Sequence, residues 1–231
     1  MTEVVPSSGE RADAASDDGR SWIADRYRRG DHAYVRLNML TSLTGAAVGS
    51  DGTSDTLTSR VDRAILSAIR AEADVVVVGA QTVRAEGYVL PRRARLAVVS
   101  RSGDLRGHRF TARTDAPADQ VLLLLPEGVP EPDDTGLATV VRVPGRDDLS
   151  PAGIVGVLRG RGLGRIVCEG GPSLASQFAD AGLIDEFCLT TAPALTPVAS
   201  PVLDVARPVA TEVAGMIVDE AGFSYLRLRR T

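Results

Sequence analysis

The stretch Arg165 to Leu174, RIVCEGGPSL, concentrates chemistry at one point of the chain. An apolar run ends in Glu169, two glycines follow, and Pro172 is placed to open a helix. Glycine lets a backbone approach a ligand closely. A helix N-terminus offers free N–H groups and a positive dipole end, and proline at its first position costs the helix nothing. Gly170, Gly171, Pro172, Ser173 and Leu174 are therefore candidates to hold a diphosphate, with a plain strand-to-helix turn as the competing reading. A second segment, Val75 to Gly87 (VVVVGAQTVRAEG), ends an apolar strand at Gly79 and sets Thr82 and Glu86 four residues apart, on one face of a short helix. A third, Leu96 to Gly103 (LAVVSRSG), delivers Ser100, Arg101 and Ser102 to a loop. Forked guanidinium donors flanked by hydroxyls suit a phosphate monoester, and an arginine near an adenosine ribose distinguishes NADP from NAD. The fourth, Asn38 to Gly45 (NMLTSLTG), supplies the hydroxyls of Thr41, Ser42 and Thr44 but no titratable group.

Composition narrows the chemistry further. All 26 basic residues are arginine. Without lysine there is no Walker phosphate loop and no Schiff base. Two histidines (His32, His108) and two cysteines (Cys168, Cys188) are too few and too scattered for a zinc site, so no metal is expected. Proton chemistry falls to carboxylates, hydroxyls, a tyrosine or water. A net charge of −4 argues against nucleic acid as a partner. No apolar run approaches the roughly 18 residues of a membrane span. The chain start carries no basic and apolar export leader, and isolated thiols suit a reducing cytoplasm, the expected location. Gly160, Gly162 and Gly164 imitate a dinucleotide fingerprint, but they precede a strand where the fingerprint must follow one, and read as a helix-to-strand loop.

The elements that must position these residues alternate. Residues 1–20 are polar, acidic and aperiodic and predict a structureless tail. Ser21 to Gly30 predicts an amphipathic lead-in, with Trp22 and Tyr27 pinning the tail, so that 1–30 is a flexible tail and lead-in and 31–231 a single domain. Strands are expected at 34–40, 75–78, 96–99, 121–125, 139–143, 165–169 and 186–191, with a loop at 117–119. Helices are expected from a Thr58 or Ser59 cap to Glu72, from a Ser150 cap to Arg159 and at 172–181, a short helix or turn opens at 81–84, and strands at 210–218 and 223–229 form a terminal hairpin. Strands alternating with helices predict an α/β fold with a mostly parallel sheet and an antiparallel edge.

In this order, SLTG after the first strand, LTSRVDRAILSAIRAEADVVVVGAQTVRAEGY, VVSRSG and CEGGPSLASQFADAGLIDEFCLTTAPAL resemble the pyrimidine reductases of riboflavin biosynthesis. These include the C-terminal reductase domain of bifunctional deaminase-reductases, and the resemblance is to the free-standing actinobacterial type. It implies a dihydrofolate reductase-like fold, NADPH as hydride donor, and 5-amino-6-(5-phosphoribosylamino)uracil or its diamino analogue as the small-molecule substrate, whose ribosyl group becomes ribityl. It also implies a homodimer, for which Phe187 to Ala194 and the terminal hairpin are interface candidates. Carried over, Thr41, Gly79, Thr82, Ser100, Arg101, Ser102 and Gly170 to Leu174 contact the cofactor. Ser54, Arg70, Arg84 and Thr44 lie toward the substrate, and Glu169 and Glu86 are the candidate catalytic carboxylates. Thr44 stands where the family carries Asp, and Glu86-Gly87-Tyr88 stands for its Asp-Asp-Pro, which adds a ring to the substrate side. Dihydrofolate reductase activity on a pterin, and a catalytically silent NADPH-binding protein, are the alternative functions.

Overall fold

The computed structural model describes residues 1–104, 106–108, 110–111, 119–133, 135–136 and 138–231. The chain starts with β1 (Thr2–Val5) and α1 (Asp17–Tyr27), then β2 (Tyr34–Ser42), a 3-10 turn (Asp55–Leu57) and α2 (Arg60–Glu72). Next come β3 (Val75–Gly79), α3 (Ala80–Glu86), β4 (Tyr88–Val89), β5 (Arg95–Val99), β6 (Phe110–Thr111), β7 (Val121–Pro126) and β8 (Ala138–Val143). The last third holds α4 (Pro151–Arg159), β9 (Arg165–Cys168), α5 (Pro172–Asp180), β10 (Glu186–Ala192), β11 (Thr211–Val218) and β12 (Ser224–Arg230). All the strands but β4 and β6 join one sheet in the order β1-β11-β12-β10-β2-β9-β3-β5-β7-β8. From β10 to β8 every neighbouring pair is parallel, and β12, β11 and β1 continue it antiparallel at one edge.

The strands read as continuous apolar runs because helices cover both faces. Val76, Val78, Leu96, Val98, Leu123 and Leu125 share one buried cluster with Ile65 and Ile69 of α2, and Val75, Val77, Ala97, Leu122 and Leu124 share the other with apolar residues of α4 and α5. Helix α2 forms where Ser59 accepts the Asp62 N–H at its N-terminus and apolar positions recur at helical spacing. Ile65 and Ile69 are buried, and each stabilises the docked helix by about 2–3 kcal/mol. Ser150 caps α4 with Pro151 behind it, as the sequence predicts.

Three expectations are corrected or set aside. Residues 1–20 are not a structureless tail. Thr2, Glu3 and Val5 pair with Val218, Ile217 and Met216, and Ser16 caps α1. Polar contacts that hydrophobic periodicity does not register hold this segment: Arg26 donates Nε and Nη2 to Glu3 at 2.9 and 3.0 Å, and Trp22 donates Nε1 to Glu10. The Phe187–Ala194 stretch does not offer an edge to a partner copy, because β10 is paired on both sides, by β2 and β12, and Phe187, Cys188 and Ala192 are buried. Of the loop expected at 117–119, residues 117 and 118 lie outside the described residues.

Candidate active site

Strand β9 is inserted between β2 and β3, which follow one another in the sequence, so connections diverge at its carboxyl end. A crevice outside the strand ends at such a point is where open α/β sheets bind ligands. The turn after β9 is stitched down on the β3 side. Glu169 N–H donates to the Val77 carbonyl at 2.9 Å, Gly79 N–H to the Gly170 carbonyl at 2.7 Å, and Gly171 N–H to Thr82 Oγ1 at 2.9 Å. Gly170 has φ +85°, and a Cβ there would sit 2.7 Å from Met39 Sδ, so both backbone and packing require glycine. The cleft that opens above measures about 1260 Å3. That exceeds the ~300–1,000 Å3 of ordinary small-ligand pockets and leaves room for a dinucleotide beside a second molecule.

One half of the cleft is lined by Gly79, Thr82, Ser100, Arg101, Ser102 and the first turn of α5, Gly171 to Leu174. Among the described residues no side chain caps α5 at its N-terminus, and its first turn holds no acidic residue, so its first N–H groups suit an anion. Arg101 is exposed and makes no hydrogen bond or ion pair among the described residues. Ser100 Oγ is buried and accepts the Gly103 N–H, which fixes the loop that carries Arg101. Gln177, Asp148 and Leu149 also line this half and were not foreseen from the sequence. A diphosphate on the α5 N-terminus with a monoester at Arg101 fits this donor set.

The other half is built on α2 and the segment after α3. Arg70 donates Nε and Nη2 to the two oxygens of Glu169 at 2.7 and 2.6 Å. Tyr88 O–H also donates to Glu169, and the Arg70 guanidinium lies 5.0 Å from the Tyr88 ring centre. Burial lowers the affinity of Arg70 for its proton, but the Glu169 charge and hydrogen bonds outweigh it, so its pKa rises. Burial, then the Glu169 charge, pushes the Tyr88 phenol well above its usual range. Glu86 is exposed and accepts the Ser54 N–H at 3.2 Å. Arg84 donates to the Asp104 carbonyl at 3.0 Å.

The structure thus brings Glu169, Glu86, Ser54, Arg70, Arg84, Gly79, Thr82, Ser100, Arg101, Ser102 and Gly171 to Leu174 to one cleft. It does not bring Thr41, Thr44 or Gly170 there. Thr41 is buried, donating to the Ser42 and Ala46 carbonyls. Thr44 is tied to Thr196, donating to its carbonyl at 2.6 Å and accepting its N–H at 3.1 Å. Gly170 is buried behind Met39 and acts through its turn. Among the described residues no cluster of metal ligands occurs.

Asp62 is a further lining residue that the sequence reading missed. It lines the cleft from the first turn of α2, is 9% exposed, and accepts the Thr58 hydroxyl at 2.7 Å. An acid in a first turn reads as a partner of the helix dipole. The available signal was its phase: Asp62, Ile65 and Ile69 share the buried stripe.

The sequence model of the RibD C-terminal domain matches residues 33–199. A pyrimidine reductase-like protein from Corynebacterium diphtheriae superposes with a TM-score of 0.67 at 24% identity, over 86% of this chain and 92% of that one. A diaminohydroxyphosphoribosylaminopyrimidine deaminase/5-amino-6-(5-phosphoribosylamino)uracil reductase from Thermotoga maritima gives 0.69 at 21% identity, over 87% of this chain but only 57% of that longer protein. A riboflavin biosynthesis reductase from Saccharomyces cerevisiae gives 0.62 at 12% identity, over 95% and 100%. No curated protein matches the sequence. The likenesses show a common fold, the mostly parallel α/β sheet with its antiparallel edge.

Proposed function

The chain belongs to the RibD C-terminal domain family, and from that premise we propose that it is an NADPH-dependent pyrimidine reductase of riboflavin biosynthesis. Its substrate is 5-amino-6-(5-phosphoribosylamino)uracil or the diamino analogue, and it reduces the ribosyl group to a ribityl chain. The observation that carries this is the division of one cleft into a half lined by an uncapped helix start, hydroxyls and Arg101, and a half built on a carboxylate–arginine–tyrosine cluster.

The first-turn N–H groups of α5, the Thr82, Ser100 and Ser102 hydroxyls and the exposed Arg101 would hold the dinucleotide, with Arg101 on the 2′-phosphate. NADPH, when bound, supplies a hydride to the opened sugar. The protein's own task is alignment and exclusion of water. Glu169 is engaged with Arg70 and Tyr88 through both oxygens, which suits holding a rigid wall against the pyrimidine better than accepting protons. Arg70 has Nε and Nη2 committed, so Arg84 and the exposed Arg63 at the cleft rim are better placed than Arg70 for the substrate phosphate. No helix of the described residues is long and apolar enough to cross a membrane, and both cysteines are free and buried, which fits work in a reducing cytoplasm. Exposed Leu43, Leu195 and Val198 are apolar side chains suited to a homodimer contact.

The test is a coupled assay of NADPH oxidation with the phosphoribosylamino-pyrimidines and with dihydrofolate. Turnover of a phosphoribosylamino-pyrimidine supports the reading. Turnover of dihydrofolate alone, or of neither, overturns it.

A further inference from the structure

Two carboxyl groups line the same half of the cleft in unlike surroundings. Glu169 has a guanidinium on both oxygens. Asp62 has no ion pair among the described residues; its side chain meets hydroxyls, Thr58 from its own side of α2 and Thr190 from β10. Both are shielded from water, with side-chain exposure of 9% for Glu169 and residue exposure of 9% for Asp62. When two carboxyls share a site, the one without a cation takes the proton, and environments that push two carboxyls apart divide acid from spectator. We propose that Asp62 is the proton donor of the reduction, a role that rests on the reductase reading above.

The step balances with the parts named. The hydride forms the new C–H bond at C1′ of the opened sugar, and the C=N π pair withdraws onto nitrogen. That nitrogen takes the proton of the Asp62 carboxyl, so the imine becomes an amine and NADPH becomes NADP+. The carboxylate left behind takes a proton from water, completing the cycle.

The groups facing Asp62 agree with this. Burial raises its pKa first; the hydroxyls of Thr190 and Thr58 and the charge of Arg63 lower it, the Glu169 charge raises it again, and the net direction is upward. Arg63 is exposed at the rim of the cleft, where solvent screens its charge. Arg70 and Tyr88 are both turned to Glu169. From β12, Tyr225 hydrogen-bonds Ser59 at 2.8 Å and donates to Asp219 at 2.6 Å, which adds a second acid on the far side of the cap and no cation.

The experiment has two readouts. Carbon-13 spectra of protein labelled at the aspartate carboxyls are followed against pH, for wild type and Asp62→Asn. One resonance that titrates above the other aspartates and is missing from the variant is expected. Steady-state rates are then measured across the same range. The wild-type kcat falls as pH rises through the value read for Asp62. The variant loses about 100-fold in kcat, its profile flattens, and its Kd for NADPH, read by fluorescence, stays within twofold. Asp62 titrating with the ordinary aspartates, or a variant kcat within a few-fold of wild type, overturns the proposal. The carboxyl titration and the wild-type profile stand even where the variant folds poorly. Wild type that turns over neither pyrimidine overturns the functional reading and the donor role with it, and the carboxyl titration then tells whether Asp62 itself behaves as described.

Discussion

Replacing Glu169 by glutamine tests how the substrate half of the cleft is held. Glutamine keeps the shape but exchanges one oxygen for an NH2, so a donor meets the N–H of Arg70 or the O–H of Tyr88. The two charged bonds at 2.7 and 2.6 Å become at most one, and the guanidinium is left without a counter-charge. Breaking a fully buried pair from one side costs about 3–5 kcal/mol. The Arg70 side chain is 20% exposed and that of Glu169 9%, so some water reaches the pair. We expect about 2–3 kcal/mol, a drop of about 5–10 °C in Tm for a domain of this size. Arg70→Met strands the carboxylate and costs a similar amount. The double variant buries neither charge, so it should lose less than the sum, with a coupling of about 2 kcal/mol. Urea unfolding of the four proteins at neutral pH measures it. Costs that add within about 0.5 kcal/mol would show that the pair is not coupled and would refute the account of this wall.

Three further outcomes follow from named contacts. Arg101→Ala, at an exposed side chain without partners among the described residues, should leave Tm unchanged and weaken NADPH about 10-fold, the worth of one charge-assisted contact, with NADH unaffected; equal losses for both nucleotides in a fluorescence titration count against it. Gly170→Ala combines a positive φ with a methyl beside the buried Met39, and should cost about 2–5 kcal/mol; a loss under about 1 kcal/mol on chemical unfolding means the close approach does not exist. Asp62→Asn addresses stability as well as rate. A carboxyl whose pKa is raised by folding contributes stability below its unfolded value and loses it as pH climbs through the folded one. Asparagine cannot ionise, so the variant should gain on wild type as pH rises above the ordinary aspartate value of about 4, and a difference in urea melts that stays flat from there upward excludes the raised acid.

Most of the alternating core was legible because its signals are local. Val75 to Val78, Leu96 to Val99 and Val121 to Leu125 are continuous apolar runs, and Ser59, Ser150 and Pro172 mark helix starts. The glycine turn and the VVSRSG loop could be placed at one edge because strand ends of a parallel sheet share a side. Contacts between distant polar residues left no such trace. Glu3 with Arg26, Thr44 with Thr196, and Arg70 with Glu169 are 23, 152 and 99 residues apart, and each side chain read alone looks solvated or ligand-directed. Asp62 escaped for the opposite reason: its local role at a helix start was sufficient explanation, and only tertiary placement turns it toward the cleft.

The placing of β1 beside β11 has a consequence for how this chain can be made. Its earliest strand pairs with residues 216–218, and β2 sits between β9 and β10, so both wait for late segments. During synthesis the first forty or so residues leave the ribosome with unpaired strand edges, while α2, β3 and β5 already have neighbours close in sequence. Contacts of such long sequence separation form slowly, and exposed edges are where nascent chains associate wrongly. The cleft inherits that schedule: its floor is assembled only when β9 slides between β2 and β3, so a chain arrested before residue 165 has no binding site at all.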